Sequence, residues 1–145
     1  MKNRIQFDVI GKPYGQKRPR AYRKGRFLGI YSPKENVDYA QNVKESLLKV
    51  IKPKGLIYDN VPVVIEVQAF FKKPKLTKKQ MLLNLLRDKF PVKKPDGDNI
   101  LKAICDSLTS TGLVWTDDSY VVSMTIDKFY TDATERVEVV IYEKE

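Results

Sequence analysis

The stretch from Val61 to Phe71, Val-Pro-Val-Val-Ile-Glu-Val-Gln-Ala-Phe-Phe, limits the fold more than any other part of the chain. Apolar residues fall on both alternating sets and β-branched types dominate, which predicts a central strand covered on both faces. A central strand needs neighbours. Ile5, Phe7 and Val9 alternate with Gln6 and Asp8 and predict a half-buried first strand. Tyr120 to Tyr130 and Arg136 to Tyr142 predict two more, with Val137, Val139 and Ile141 on one face of the latter. Arg26 to Ile30 offers a further short strand inside an otherwise loop-like stretch from Gly11 to Pro33.

Helices fall between these strands. Ser32 with Pro33 and Glu35 matches a capping box with proline at the first helical position, and Val37, Ala40, Val43, Leu47 and Val50 recur at helical spacing until Lys52-Pro53 and Gly55. Thr77 with Gln80 matches a second box, followed by Met81, Leu82, Leu85 and Leu86 before Pro91. A third helix from Asp98 to Ser110 places Leu101, Ile104, Cys105 and Leu108 on one stripe, and Gly112 turns the chain. Four to five strands and two to three helices in 145 residues predict a small single α/β (α+β) domain spanning residues 1–145.

The chain contains no histidine and a single cysteine, Cys105. Histidine-dependent catalysis, zinc fingers and an internal disulfide are therefore excluded, and carboxylate, lysine, tyrosine and hydroxyl chemistry remains. Cys105 lies on the apolar stripe and reads as packed rather than reactive. The net charge of +9 favours a phosphate-rich partner. No apolar run is long enough to span a membrane, and no leader or lipidation signal stands out, so a cytoplasmic protein without membrane contact is expected.

Against this basic background, Asp96, Asp98, Asp106, Asp117 and Asp118 place five carboxylates within 23 residues. Asp98, Lys102 and Asp106 share one helix flank, at the margin of the apolar stripe. Gly97 allows unusual backbone angles through which Asp96 and Asp98 converge, and Asp117-Asp118 opens the next strand. Such acids suit one or two hard divalent ions, Mg²⁺ or Mn²⁺, and Lys102 beside them would act electrostatically on a phosphate. The plainer alternative is a helix cap at Asp98, surface ion pairs along Asp98, Lys102 and Asp106, and a turn at Asp117-Asp118. Trp115 reads equally as a core or an interface anchor.

The run Lys94-Pro95-Asp96-Gly97-Asp98-Asn99-Ile100-Leu101-Lys102, then Asp106, then Gly112-Leu113-Val114-Trp115-Thr116-Asp117-Asp118, resembles the signature of the RusA-type Holliday junction resolvases. The basic Gln16-Lys17-Arg18-Pro19-Arg20 segment and Ser32-Pro33 are also similar to that family's N-terminal region. The resemblance implies a mixed-sheet fold and a homodimer that nicks four-way DNA junctions symmetrically with Mg²⁺ or Mn²⁺, in recombination and repair. By motif position it implies Asp96, Asp98 and Asp118 as metal ligands, Lys102 as the essential lysine, and Lys128 as a recurrent basic position. Asp118 is taken over Asp117.

A DNA surface is expected along Lys17, Arg18, Arg20 and Arg23, extended by Lys94 and Lys128, with aromatics near the loop available to stack on unpaired bases. Lys72, Lys73, Lys75, Lys78 and Lys79 would extend it or merely solubilise a helix, and the N-terminal cations read alternatively as an ordinary solvated loop. Other readings are a nuclease for other branched or linear DNA, or a non-catalytic DNA-binding protein that keeps the fold.

Overall fold

The computed structural model describes residues 1–75, 77–79 and 90–145. Strands β1 (Ile5–Ile10), β4 (Val63–Lys72), β5 (Val121–Thr131) and β6 (Arg136–Glu143) form one sheet in the order β1-β6-β4-β5. β6 runs antiparallel to both β1 and β4, while β4 and β5 are parallel, so the sheet is mixed. Strands β2 (Arg20–Lys24) and β3 (Phe27–Tyr31) form a separate two-stranded sheet and, among the described residues, pair with each other alone. Among the described residues two long helices stand out, α1 (Lys34–Leu48) and α2 (Gly97–Thr111). The helix expected after Thr77 falls largely outside the described residues.

Register explains the core. Phe7, Val139, Val67 and Ile126 line up across the four strands, as do Val9, Val137, Ala69 and Lys128. All but Ile126 and Lys128, on the edge strand, are buried. The two helices pack on each other, α1 against β1 and α2 against β5. α2 buries Ile100, Ala103, Ile104 and Leu108, each large side chain contributing about 1.5–3 kcal/mol of transfer free energy. It ends at Gly112, whose φ of 67° is a left-handed cap.

Three local expectations differ from the structure. β4 is central, but only the face bearing Val63, Ile65, Val67, Ala69 and Phe71 is fully buried; Gln68 on the opposite face is exposed, and Glu66 there accepts a hydrogen bond from the Tyr142 hydroxyl. Glu66 and Gln68 within the run were the signal that one face stays open. The capping box at Ser32 does not form, because Pro33 itself is the cap, with extended ψ of 145°, and Ser32 instead accepts from the buried Asn36 side chain. Val37 and Val50 are exposed, the latter beyond the helix end, which leaves Val43 and Leu47 as the buried stripe of α1. Trp115 is a core residue: it is fully buried and its indole N–H donates to Thr109 Oγ1 at 2.8 Å.

Candidate active site

The segment leading into α2 is held from below and from the side. Lys128 on β5 donates its ammonium to the carbonyls of Lys93 at 2.7 Å and Pro95 at 2.9 Å, and lies over the Phe71 ring. Two of its three N–H groups are thereby used on backbone. The Lys94–Pro95 peptide is cis. Gly15 lies so close to Pro95 that a Cβ there would stand 2.8 Å from the proline Cβ, which lets the N-terminal loop rest directly on the start of α2. The loop is then fixed by Gln16 N–H donating to the Asn99 carbonyl at 3.1 Å. On its other side Asn36 accepts from the Tyr14 hydroxyl and the Lys17 N–H, and donates to the Lys17 carbonyl.

Asp96 is the N-cap residue of α2, with no side-chain capping bond, and Asp98 lies in the first turn. Both are exposed, at the end of the helix where the backbone dipole favours negative charge. Gly97 has no positive φ; it is an ordinary first helical residue stacked over Ile126, so the convergence of Asp96 and Asp98 through an unusual glycine backbone does not occur. Asp96 lines a cleft with Lys12, Lys17 and Lys94.

One turn further on, charges gather. Lys102 pairs with Asp106 at 3.1 Å, and Asp106 also accepts from Gln16 Nε2 at 3.2 Å. Asp117 caps the short 3-10 turn Asp118–Tyr120 by accepting from the Ser119 N–H at 3.0 Å, which holds its carboxyl below the usual range. Partial burial pushes the Asp118 carboxyl above its usual range, helped by its hydrogen bond and repulsion with Asp117 and by Asp106, against the opposing pull of Lys102. Burial, with Asp118 and Asp106 nearby, pushes the Cys105 thiol up to about 12, so this cysteine stays protonated and inert.

The expected residues therefore divide. Lys102, Asp106 and Asp118 share one electrostatic neighbourhood, with Asp98 one turn before Lys102 on the same helix. Among the described residues no three carboxylates stand close enough to form a preformed metal cluster. The donor set is all oxygen and suits a hard cation: burial first, then Asp117 and Asp106, disfavour the ionised form of Asp118, and a divalent ion would relieve that. The ion pair and the Asp117 turn belong to the plainer reading, and the raised Asp118 adds to them a partly buried acid beside Asp117 and Asp106. Gln16, which joins the N-terminal loop to this neighbourhood through Asp106, was expected only as part of the basic loop; Asp106 was expected in the acidic cluster but not among the metal ligands or catalytic residues.

The family model for endodeoxyribonuclease RusA matches residues 11–142. The chain belongs to the RusA endodeoxyribonuclease family. A Bacillus subtilis (strain 168) protein described as uncharacterized protein YqaN is 32% identical over 145 residues, with 96% of each chain covered. RusA enzymes are nucleases that act on branched DNA, and the match takes in the N-terminal loop, the β2–β3 hairpin, α2 and the Asp117-Asp118 turn. No helix among the described residues is long and apolar enough to cross a membrane.

Proposed function

We propose that this protein is a divalent-metal-dependent endodeoxyribonuclease that resolves four-way DNA junctions by paired symmetric nicks, as a homodimer, in cytoplasmic recombination and repair. The observation that supports the reading is the flank of α2: Asp98, Lys102 and Asp106 follow at four-residue spacing, and Asp118 lies within electrostatic reach of Lys102 and Asp106. Asp96, Asp98 and Asp118 would hold Mg²⁺ or Mn²⁺. When bound, the ion polarises the scissile phosphate and lowers the pKa of an attacking water.

The chain's own residues supply the rest. Lys102 neutralises charge growing on the phosphate, and Asp106 keeps its ammonium on the site flank. Lys94 and Lys17, with Lys12, give the cleft beside Asp96 a positive rim for the neighbouring phosphates. Arg18, Arg20 and Arg23 extend that path along the N-terminal loop and hairpin. Lys128 anchors the Lys93–Pro95 segment, and its remaining N–H is the group left for a DNA phosphate.

Incubation with a synthetic four-way junction, a Y-fork and linear duplex, with Mg²⁺ or EDTA, tests this reading. Paired symmetric nicks confined to the junction and abolished by EDTA are expected, with Asp98→Asn and Asp118→Asn inactive. Cutting that survives EDTA or these substitutions would overturn the metal-carboxylate mechanism, and equal cutting of all three substrates would overturn junction selectivity. Sedimentation at micromolar concentration should give a dimer.

A further inference from the structure

The β2–β3 hairpin stands apart from the body of the protein. Every residue of its two strands is exposed except Gly29, and neither strand pairs with the main sheet. A bare two-stranded hairpin is marginal in water, yet this one carries apolar side chains on both faces. On one face Tyr22 lies across Gly29, with its ring 6.1 Å from Phe27 and 5.9 Å from Tyr31. A Cβ at Gly29 would overlap the Tyr22 ring at 2.3 Å, so glycine is what lets that ring lie flat on the strand. The other face carries Leu28 and Ile30, which are 73% and 76% exposed.

Charge says what such a blade can enter. Arg20, Arg23, Lys24 and Arg26 lie on it, and no acidic residue occurs anywhere from Val9 to Lys34. A protein partner of mixed charge gains little from that rim, whereas a polyanion with exposed base faces meets both the cations and the rings. We propose that the β2–β3 hairpin is a wedge that enters the branch point of DNA, with Tyr22 and Phe27 stacked on an unpaired base and Leu28 and Ile30 against the opposite arm. This rests on the reading of the protein as a branched-DNA nuclease. The loop from Tyr14 to Lys17 connects the wedge directly to the Asp96 cleft and to Asp106, so the inserted hairpin sets which phosphate reaches α2.

The test is photo-cross-linking of a four-way junction carrying 5-iodouracil at the branch point, in EDTA so that no cutting occurs, with the attachment mapped by mass spectrometry. Attachment within residues 20–31 is expected; a bound junction cross-linked only elsewhere overturns the wedge. Tyr22→Ala with Phe27→Ala should weaken junction binding about tenfold for each base left unstacked while leaving linear duplex binding within about twofold, and Tyr22→Trp should retain junction binding. Equal weakening on junction and duplex would overturn the proposal. Leu28→Ser with Ile30→Ser distinguishes a second copy of the chain as the occupant: sedimentation should be unchanged, and conversion of a dimer to monomers would overturn the wedge. A protein that binds and cross-links through the hairpin but never cuts defeats the nuclease reading alone. One that cuts junctions without hairpin cross-links defeats the wedge alone.

Discussion

At Asp118, partial burial and the neighbouring acids Asp117 and Asp106 all disfavour the ionised form that a metal ligand needs. A carboxyl whose pKa is raised by folding costs the native state stability wherever both states are ionised, and costs nothing once both are protonated. Asp118→Asn should therefore raise the melting temperature of the metal-free protein at neutral pH, with the gain vanishing below the ordinary aspartate range, as followed by circular dichroism across pH. A drop in stability at neutral pH would contradict this. The same charges shape activity: Asp106→Asn removes one acidic neighbour, so the acidic limb of the cleavage profile should move to lower pH, while the freed Lys102 lowers kcat. That Asp98, Lys102 and Asp106 share one flank of α2 was legible because spacing along a helix survives in sequence, whereas the approach of Asp118 to Lys102 and Asp106 depends on the turn after Trp115. The part played by Gln16 was not legible either, because its bond to Asp106 spans 90 residues and depends on how the loop lies.

Among the elements, the N-terminal loop depends most on single atoms. Asn36 is buried and satisfies Tyr14, Lys17 and Ser32 from one amide, so Asn36→Leu leaves the Lys17 backbone groups without partners. It should cost about 2 kcal/mol in urea denaturation and weaken junction binding by gel shift. Gly15→Val should leave α1 and α2 intact but lift the loop off Pro95, lowering cleavage at unchanged melting temperature. The main strands were legible because their apolar alternation is local, and α2 because its stripe and Gly112 agree. The hairpin was half legible: Arg26 to Ile30 reads as a short strand and the structure has it at Phe27–Tyr31, but Arg20–Lys24 is masked by its charges, since exposed strands have no buried face to produce alternation. The Ser32 box misled because the same letters also suit a proline cap with an asparagine below it.

For the whole molecule, a net charge of +9 concentrated in the N-terminal loop and hairpin makes binding a counterion-release process. Junction affinity, measured by fluorescence anisotropy, should fall linearly on a log–log plot against salt. Arg20→Ala should weaken binding and make that slope shallower by about one. A slope unchanged by this substitution would remove Arg20 from the DNA path. Pairing order was not legible in the sequence, because the strand patterns do not say which strand lies beside which. That order has a consequence in time. β6 lies between β1 and β4, yet residues 136–143 leave the ribosome after every acid and lysine of the α2 neighbourhood. Until that strand slots in, β1 and β4 have no common partner and the platform beneath α2 is open. A growing chain therefore carries Asp96, Asp98, Lys102 and Asp118 before the strand that joins β1 to β4 has been made.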